Sequence, residues 1–190
     1  MQLKYLATTA AALCISASAA QASIIFTSTL APEVAGSSGS GSVTVTYEPL
    51  AHTLLIDADW IDLTGTTTIA HIHCCVAAPG TVGVAVTPGT LPGFVMGVQA
   101  GSYLSPLLDL TNLGTYTAAF VTNFGGGTAA GAEAALIAGM ANGTAYFNIH
   151  TSFAPGGEIR GFLQQVPEPA TFSLLALGLA GLGVARRRKQ

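Results

Sequence analysis

The sequence predicts a mainly β fold, an antiparallel Greek-key-like β-sandwich with one or two short helical insertions. Apolar and polar residues alternate with period two through the central part of the chain, rather than with helical spacing. Gly and Pro separate these runs, as at Pro79-Gly80 and Pro155-Gly156-Gly157. The runs are short and number about seven or eight, which is typical of a sandwich.

Residues 1–22 have the features of a secretory signal peptide. Lys4 supplies an early positive charge, an apolar stretch follows, and Ala20-Gln21-Ala22 provides an A-x-A cleavage site. We therefore expect the mature protein to begin at Ser23. Residues 23–165 then form one domain of about 143 residues, which is long enough to enclose a single core.

Alternation is clearest in two neighbouring runs of this domain. Val43, Val45 and Tyr47 alternate with threonines, and in residues 54–61 Trp60 points to one side while two aspartates point to the other. The other predicted strands are residues 24–29, 67–75, 82–86, 115–121, 145–150 and 158–164. An alanine-rich helix is predicted over residues 128–140, ending at Asn142-Gly143, and a weaker helical turn over residues 102–108.

The last 25 residues, 166–190, form a segment of their own. An uncharged run of 16 residues, 170–185, would rise about 24 Å as a helix, slightly less than the ~30 Å hydrocarbon core of a bilayer. The sequence therefore predicts a short transmembrane helix with its basic tail on the cytoplasmic side. The motif residues on either side of the run are Val166, Pro167, Glu168, Pro169, Arg186, Arg187 and Arg188.

These three parts in this order resemble the PEP-CTERM sorting signal of Gram-negative bacteria. The resemblance implies an exosortase-type processing enzyme as a partner. It also implies a transient stay in the inner membrane through the C-terminal segment, followed by the cell surface or the extracellular matrix. An ordinary tail anchor is the alternative interpretation.

The predicted mature domain is acidic. It keeps one basic residue, Arg160, against eight acidic residues, which gives a net charge of −7. Nucleic-acid binding needs cationic contacts to phosphate, so we expect no nucleic-acid partner.

Two segments of the domain carry a second resemblance. The first is Ala70-His71-Ile72-His73, and the second runs from residue 143 to residue 161 and ends in Gly156-Gly157-Glu158-Ile159-Arg160-Gly161. Together they resemble the CHRD domain, named from chordin and widespread in exported bacterial proteins, over about residues 24–164. The resemblance implies a β-rich extracellular module with no established catalytic activity, although Cys74-Cys75 replaces the Gly-Pro usual after the first segment.

His71, His73 and His150 are the candidate metal ligands. Residues two apart on a strand share a face, so His71 and His73 can converge on one ion. His150 ends another predicted strand, on the face away from Phe147 and Ile149, and is a conceivable third ligand. Three imidazoles with an open position would suit Zn or Cu. The alternative is that these histidines only form hydrogen bonds with neighbouring strands and loops.

Cys74 and Cys75 are the cysteines left after signal removal. In an oxidising compartment they could form a vicinal disulfide, pair with another chain, stay as buried thiols or join the histidines at a metal. Arg160 is expected to form an ion pair, either with Glu158 on the same strand face or across to a neighbouring strand. Asp57 and Asp59 indicate a solvated face, or less readily a calcium site.

Three functions follow from these residues. We expect first a non-enzymatic exported module of the cell surface or extracellular matrix, associated with exopolysaccharide. The second is a Zn- or Cu-binding domain, and the third is a carbohydrate-binding or adhesive domain. The side chains that could offer sugar platforms are Trp60, Tyr47, Tyr103, Tyr116 and Tyr146.

Overall fold

The computed structural model describes residues 22–167, together with residues 178, 179 and 186. This part of the chain is mainly antiparallel β, which confirms the predicted fold class. The strands described are β1 (Ile24–Pro32), β2 (Ser40–Glu48), β3 (Thr53–Ile61), β4 (Thr67–Cys74), β5 (Val84–Val86), β6 (Gly101–Leu104), β7 (Leu108–Asp109), β8 (Ala145–Thr151), β9 (Ile159–Phe162) and β10 (Gln164–Gln165). The helices described are a 3₁₀ turn (Leu113–Thr115), α1 (Ala118–Asn123) and α2 (Ala129–Ala141).

The strands form one curled sheet in the order β5-β4-β8-β9-β1-β2-β3-β6. β1, β2 and β3 form an antiparallel meander, and β9, from the other end of the domain, lies on the far side of β1. β1 joins the two halves of the sheet, because its residues 24–30 pair with β2 while Ala31 and Pro32 pair with β9. The half formed by β5, β4, β8 and β9 carries the histidines.

The core follows from the alternation in the sequence. On β3, Leu54, Ile56 and Trp60 are fully buried, whereas Asp57 and Asp59 are exposed, as the period of two predicts. Full burial of each large apolar side chain stabilises the fold by about 1.5–3 kcal/mol. These residues belong to one continuous hydrophobic cluster that also includes apolar residues of β4, β8 and α2.

Two predictions about local structure are wrong. Residues 115–121, predicted as a strand, instead lead into α1, which begins after Thr117 because the threonine hydroxyl accepts a hydrogen bond from the Phe120 amide. Residues 102–108, predicted as a helical turn, contain β6 and the start of β7, both paired with β3. The predicted helix over residues 128–140 is confirmed as α2, with Thr128 as its N-cap.

The predicted transmembrane helix over residues 170–185 lies outside the described residues, apart from two isolated positions. Among the residues that the structure describes, no helix is long and apolar enough to cross a membrane.

Candidate metal centre

The fold brings His71, His73 and His150 together on one face of the sheet. His71 and His73 lie two residues apart on β4, and His150 lies on the adjacent antiparallel strand β8. Each offers one ring nitrogen to a cluster in which these atoms all lie within 4.8 Å of one another. Among the described residues, this is the one group of three or more His, Cys, Asp or Glu side chains placed to hold a metal ion.

Each ring is hydrogen-bonded to a backbone carbonyl, and this bond determines which ring nitrogen carries the proton. Nε2 of His71 lies 2.6 Å from the carbonyl oxygen of Gly89. Nδ1 of His73 lies 2.8 Å from that of Val82, and Nδ1 of His150 lies 2.8 Å from that of Pro155. A carbonyl oxygen only accepts, so each of these nitrogens donates its N–H and the opposite ring nitrogen of a neutral imidazole keeps a lone pair.

Two of the three remaining lone pairs face each other directly. Nδ1 of His71 and Nε2 of His150 lie 3.4 Å apart, and with both protons already committed to carbonyls, no proton lies between them in the neutral state. A metal bound at about 2.0–2.1 Å would hold two imidazole nitrogens about 3.3–3.5 Å apart, which is this spacing. Nε2 of His73 is buried and has no hydrogen-bond partner within the described part of the chain.

The three rings are also shielded from water, with exposed fractions of 4% for His71, 8% for His73 and 7% for His150. Burial lowers the pKa of His73 to about 4, and the charges of His71, His150 and Arg160 act in the same direction, against the opposing hydrogen bond to Val82. Burial also lowers the pKa of His71. His71 and His73 therefore favour the neutral imidazole, the form that binds metals.

Aromatic and cationic side chains support His73 from one side. The Tyr146 ring stacks on the His73 ring, with centroids 4.7 Å apart and planes 3° apart. The Arg160 guanidinium lies 5.0 Å from the centroid of the Tyr146 ring, in cation–π geometry. Nη1 and Nη2 of Arg160 also donate hydrogen bonds to the carbonyl oxygens of Gly80 and Pro79, in the loop that carries Val82.

Arg160 does not pair with Glu158 on its own strand face but with Glu33, which directly follows the adjacent strand β1, at 3.1 Å. Glu158 precedes β9 and is fully buried, and its carboxylate accepts hydrogen bonds from the Thr64 and Gly65 amides at 2.6 and 3.1 Å. Burial alone would raise the pKa of Glu158, but these bonds and those from the Ser37 and Thr151 hydroxyls lower it. Glu158 therefore has a structural role.

Cys74 and Cys75 form a vicinal disulfide, one of the four possibilities left open by the sequence. The pair packs against α2 at Gly139, where a Cβ atom would clash with Sγ of Cys74 and approach Sγ of Cys75 to 2.9 Å. In this oxidised state neither cysteine offers a thiolate to the histidines.

His52 has a partner that the sequence did not reveal. Its Nδ1 lies 2.9 Å from Oε1 of Glu133, a buried carboxylate on α2, and the same oxygen accepts a hydrogen bond of 2.7 Å from the Tyr47 hydroxyl. Burial and the Glu133 carboxylate raise the pKa of Tyr47 to about 12. This group lies outside the trihistidine cluster and connects α2 to β2.

Comparisons with known proteins agree with both sequence resemblances. Neither the curated proteins nor the solved structures gave a match. The family model of the PEP-CTERM protein-sorting motif matches residues 165–189, which identifies an exported protein sorted to the cell envelope and handled by an exosortase-type enzyme. The family model of the CHRD domain matches residues 26–163, most of the chain, and the protein therefore belongs to the CHRD-domain family.

Proposed function

We propose that this exported CHRD domain is a non-enzymatic surface module that binds a transition metal, Zn or Cu, through His71, His73 and His150. The observation that carries the proposal is the 3.4 Å approach of Nδ1 of His71 to Nε2 of His150, with both ring protons held by carbonyls on the far side. Carbonyl partners of this kind orient the ligating histidines of metal sites. A bound cation removes the repulsion between the two lone pairs.

A purely structural role for the histidines explains less of this arrangement. Structural histidines would each use both ring nitrogens in hydrogen bonds or leave one in solvent. Here Nε2 of His73 is buried without a partner in the described structure, and it belongs to the cluster that the other two rings face. The cluster's nitrogens lie within 4.8 Å of one another, so an ion bound between His71 and His150 would also satisfy the His73 nitrogen once that ring moves slightly closer.

The non-enzymatic part of the proposal is supported by burial. Exposed fractions of 4–8% for the three rings leave a substrate little direct access to an ion between them. Catalytic metal sites keep an open coordination position for water or substrate. We therefore place the function in metal retention rather than turnover.

Association with extracellular polysaccharide stays a prediction that is supported by the sorting motif. Direct sugar binding by the nominated aromatic residues has little support, because all five are buried: Trp60, Tyr47, Tyr103, Tyr116 and Tyr146. We therefore propose that any matrix association involves other surfaces, and we rank metal binding above carbohydrate binding.

The test is the metal content of the exported protein, purified without chelators and measured by elemental mass spectrometry. We expect about one equivalent of Zn or Cu in the wild-type protein and in His52→Gln, a control histidine outside the cluster. We expect the metal to be lost in the His71→Ala/His73→Ala variant. X-ray absorption of the wild-type protein should show nitrogen ligands at about 2.0 Å, and this readout does not depend on folding of the variant.

Absence of metal from the wild-type protein, together with no uptake of added Zn(II) or Cu(I), would leave the histidines structural and end the proposal. Retention of metal by the double variant would place the metal elsewhere.

A further inference from the structure

We propose that the trihistidine cluster selects copper in the monovalent state over divalent ions, an inference that rests on the proposed function and names the ion. The ligand set has no negative charge. All three donors are imidazole rings, and each has one nitrogen bonded to the carbonyl of Gly89, Val82 or Pro155, so an ion bound at the other nitrogen meets an uncharged ligand. The cluster contains no carboxylate and no thiolate. The bound site therefore carries the full charge of its ion.

Burial makes that charge costly. The free energy needed to move an ion from water into a medium of low dielectric constant rises with the square of its charge, so it is about four times larger for a divalent than for a monovalent ion of equal radius. The three rings are more than nine-tenths buried. A divalent ion would therefore need an added anion, such as hydroxide, and the enclosure of the rings restricts its entry.

The surroundings do not supply that anion. The nearest carboxylate in the supporting network, Glu33, lies 3.1 Å from Arg160 and also accepts a 2.7 Å hydrogen bond from Asn148. Arg160 itself lies over the Tyr146 ring, which in turn stacks on His73. The Glu33–Arg160 pair has no net charge, and its cationic member stacks on the ring that contacts the cluster.

Coordination number favours the same ion. Zn(II) in proteins almost always takes four ligands, and sites with three protein ligands add a water or hydroxide. Cu(I) has a filled d shell and is stable with a trigonal set of nitrogen ligands, and imidazole is a good ligand for copper. Three nitrogen ligands are therefore a complete set for Cu(I). A Zn(II) ion at the same site would lack its fourth ligand.

The test is competition under anaerobic conditions between the exported protein and chromogenic chelators, with Cu(I) kept reduced by ascorbate and with Zn(II) measured separately. At equal buffered free-ion concentrations we expect Cu(I) to occupy the site in preference to Zn(II) by about 100-fold or more. His52→Gln should bind Cu(I) like the wild type, and His150→Gln should weaken it by about 100-fold. Circular dichroism of each apo variant shows whether it is folded.

The outcomes separate this inference from the proposed function. If Zn(II) binds as tightly as Cu(I), and both are lost in His150→Gln, the selectivity is overturned but the metal site stands. Binding of neither ion would overturn both. Preference for Cu(I) that persists unchanged in a folded His150→Gln variant would place copper outside the cluster and contradict the inference.

Discussion

His73 is buried beside two other imidazoles, and both its burial and the charges of these neighbours disfavour a proton on its ring. Burial makes the largest contribution to its lowered pKa of about 4, and the pKa of His71 is lowered for the same reason. In the unfolded chain both rings return to a pKa near 6.5. Between these values the unfolded chain binds protons that the folded protein rejects, so acid favours unfolding.

We therefore predict that the metal-free protein loses stability as the pH falls from about 6.5 towards 4. A decrease of roughly 1–3 kcal/mol in the free energy of unfolding is expected for the two rings, allowing for solvent screening. The measurement is urea denaturation with a chelator present at several pH values between 7.5 and 5. A folded His71→Gln/His73→Gln variant should show a flatter dependence; equal slopes in the two proteins would contradict the assignment.

Glu158 provides a second prediction for a single residue. Its buried carboxylate accepts hydrogen bonds from the amides of Thr64 and Gly65 and from the Ser37 and Thr151 hydroxyls. Glu158→Gln replaces one acceptor oxygen by an NH₂ group that faces donors, and we expect it to destabilise the fold by about 1–3 kcal/mol.

The measurement is urea denaturation at pH 7, and Asp57→Asn is the matched control. Asp57 is exposed on β3, so the same carboxylate-to-amide change should alter stability by less than about 0.5 kcal/mol. Similar effects of the two substitutions would show that Glu158 has no special role.

The strand faces that carry the three histidines could be predicted from the sequence, but the pairing of their strands and their hydrogen-bond partners could not. Alternation indicated that His71 and His73 share a face and that His150 lies on the face away from Phe147 and Ile149, whereas the β4–β8 pairing that brings them together is seen only in the structure. The carbonyls of Gly89, Val82 and Pro155 lie in loops, where no period in the sequence indicates which backbone group will face a ring. The partner of Arg160 was missed for a similar reason, since Glu33 lies 127 positions earlier and is brought close only by the β1–β9 pairing.

The loop between β4 and β5 is the element on which the cluster most depends. It carries Val82, whose carbonyl fixes His73, and it is held from outside by Arg160, which donates to the carbonyls of Pro79 and Gly80. Arg160 thus acts on the metal ligand through the loop and through Tyr146, as a positioning residue.

We predict that Arg160→Lys weakens metal binding while the protein stays folded. Lysine keeps the charge but loses the planar fork that binds two carbonyls and stacks on Tyr146. An affinity loss of about 10-fold is expected in the chelator competition, because supporting partners of this kind typically contribute 10- to 100-fold. The change should concentrate in the His73 imidazole signals of the apo protein in an NMR spectrum. Unchanged affinity with altered stability would reduce Arg160 to a structural role.

Secondary-structure elements were predicted best where the alternating run was long. Inward and outward positions alternate along the nine residues of β3, and the burial pattern follows the prediction. Residues 115–121 are a short apolar run in which strand and helix patterns cannot be distinguished. The hydroxyl of Thr117 decides the outcome by capping α1. β6 and β7, with four and two residues, are strands because β3 offers a free edge, a tertiary cause that no local pattern contains.

In the whole molecule, the C-terminal sorting motif and the domain carry different information about the protein. The sorting motif gives the destination of the protein, and the CHRD domain gives the fold. The candidate site depends on the sheet, because β4 and β8 are adjacent in space but separated in the chain by α1, α2 and three short strands. The proposed metal binding would therefore be linked to folding of the domain.

His71 and His150 are 79 residues apart in sequence, so the unfolded chain does not hold the cluster together and the folded protein binds metal more tightly. We predict that Cu(I) and Zn(II), each added alone at about 100 times its Kd, raise the free energy of unfolding by about 2.7 kcal/mol. For a domain of this size that corresponds to a rise in Tm of roughly 6–10 °C. Calorimetry should show the same rise in His52→Gln, whose imidazole lies outside the cluster, and none in His71→Ala/His73→Ala. An equal rise in the double variant would mean that the ion stabilises the protein from another site, and the linkage between β4 and β8 through the metal would be wrong.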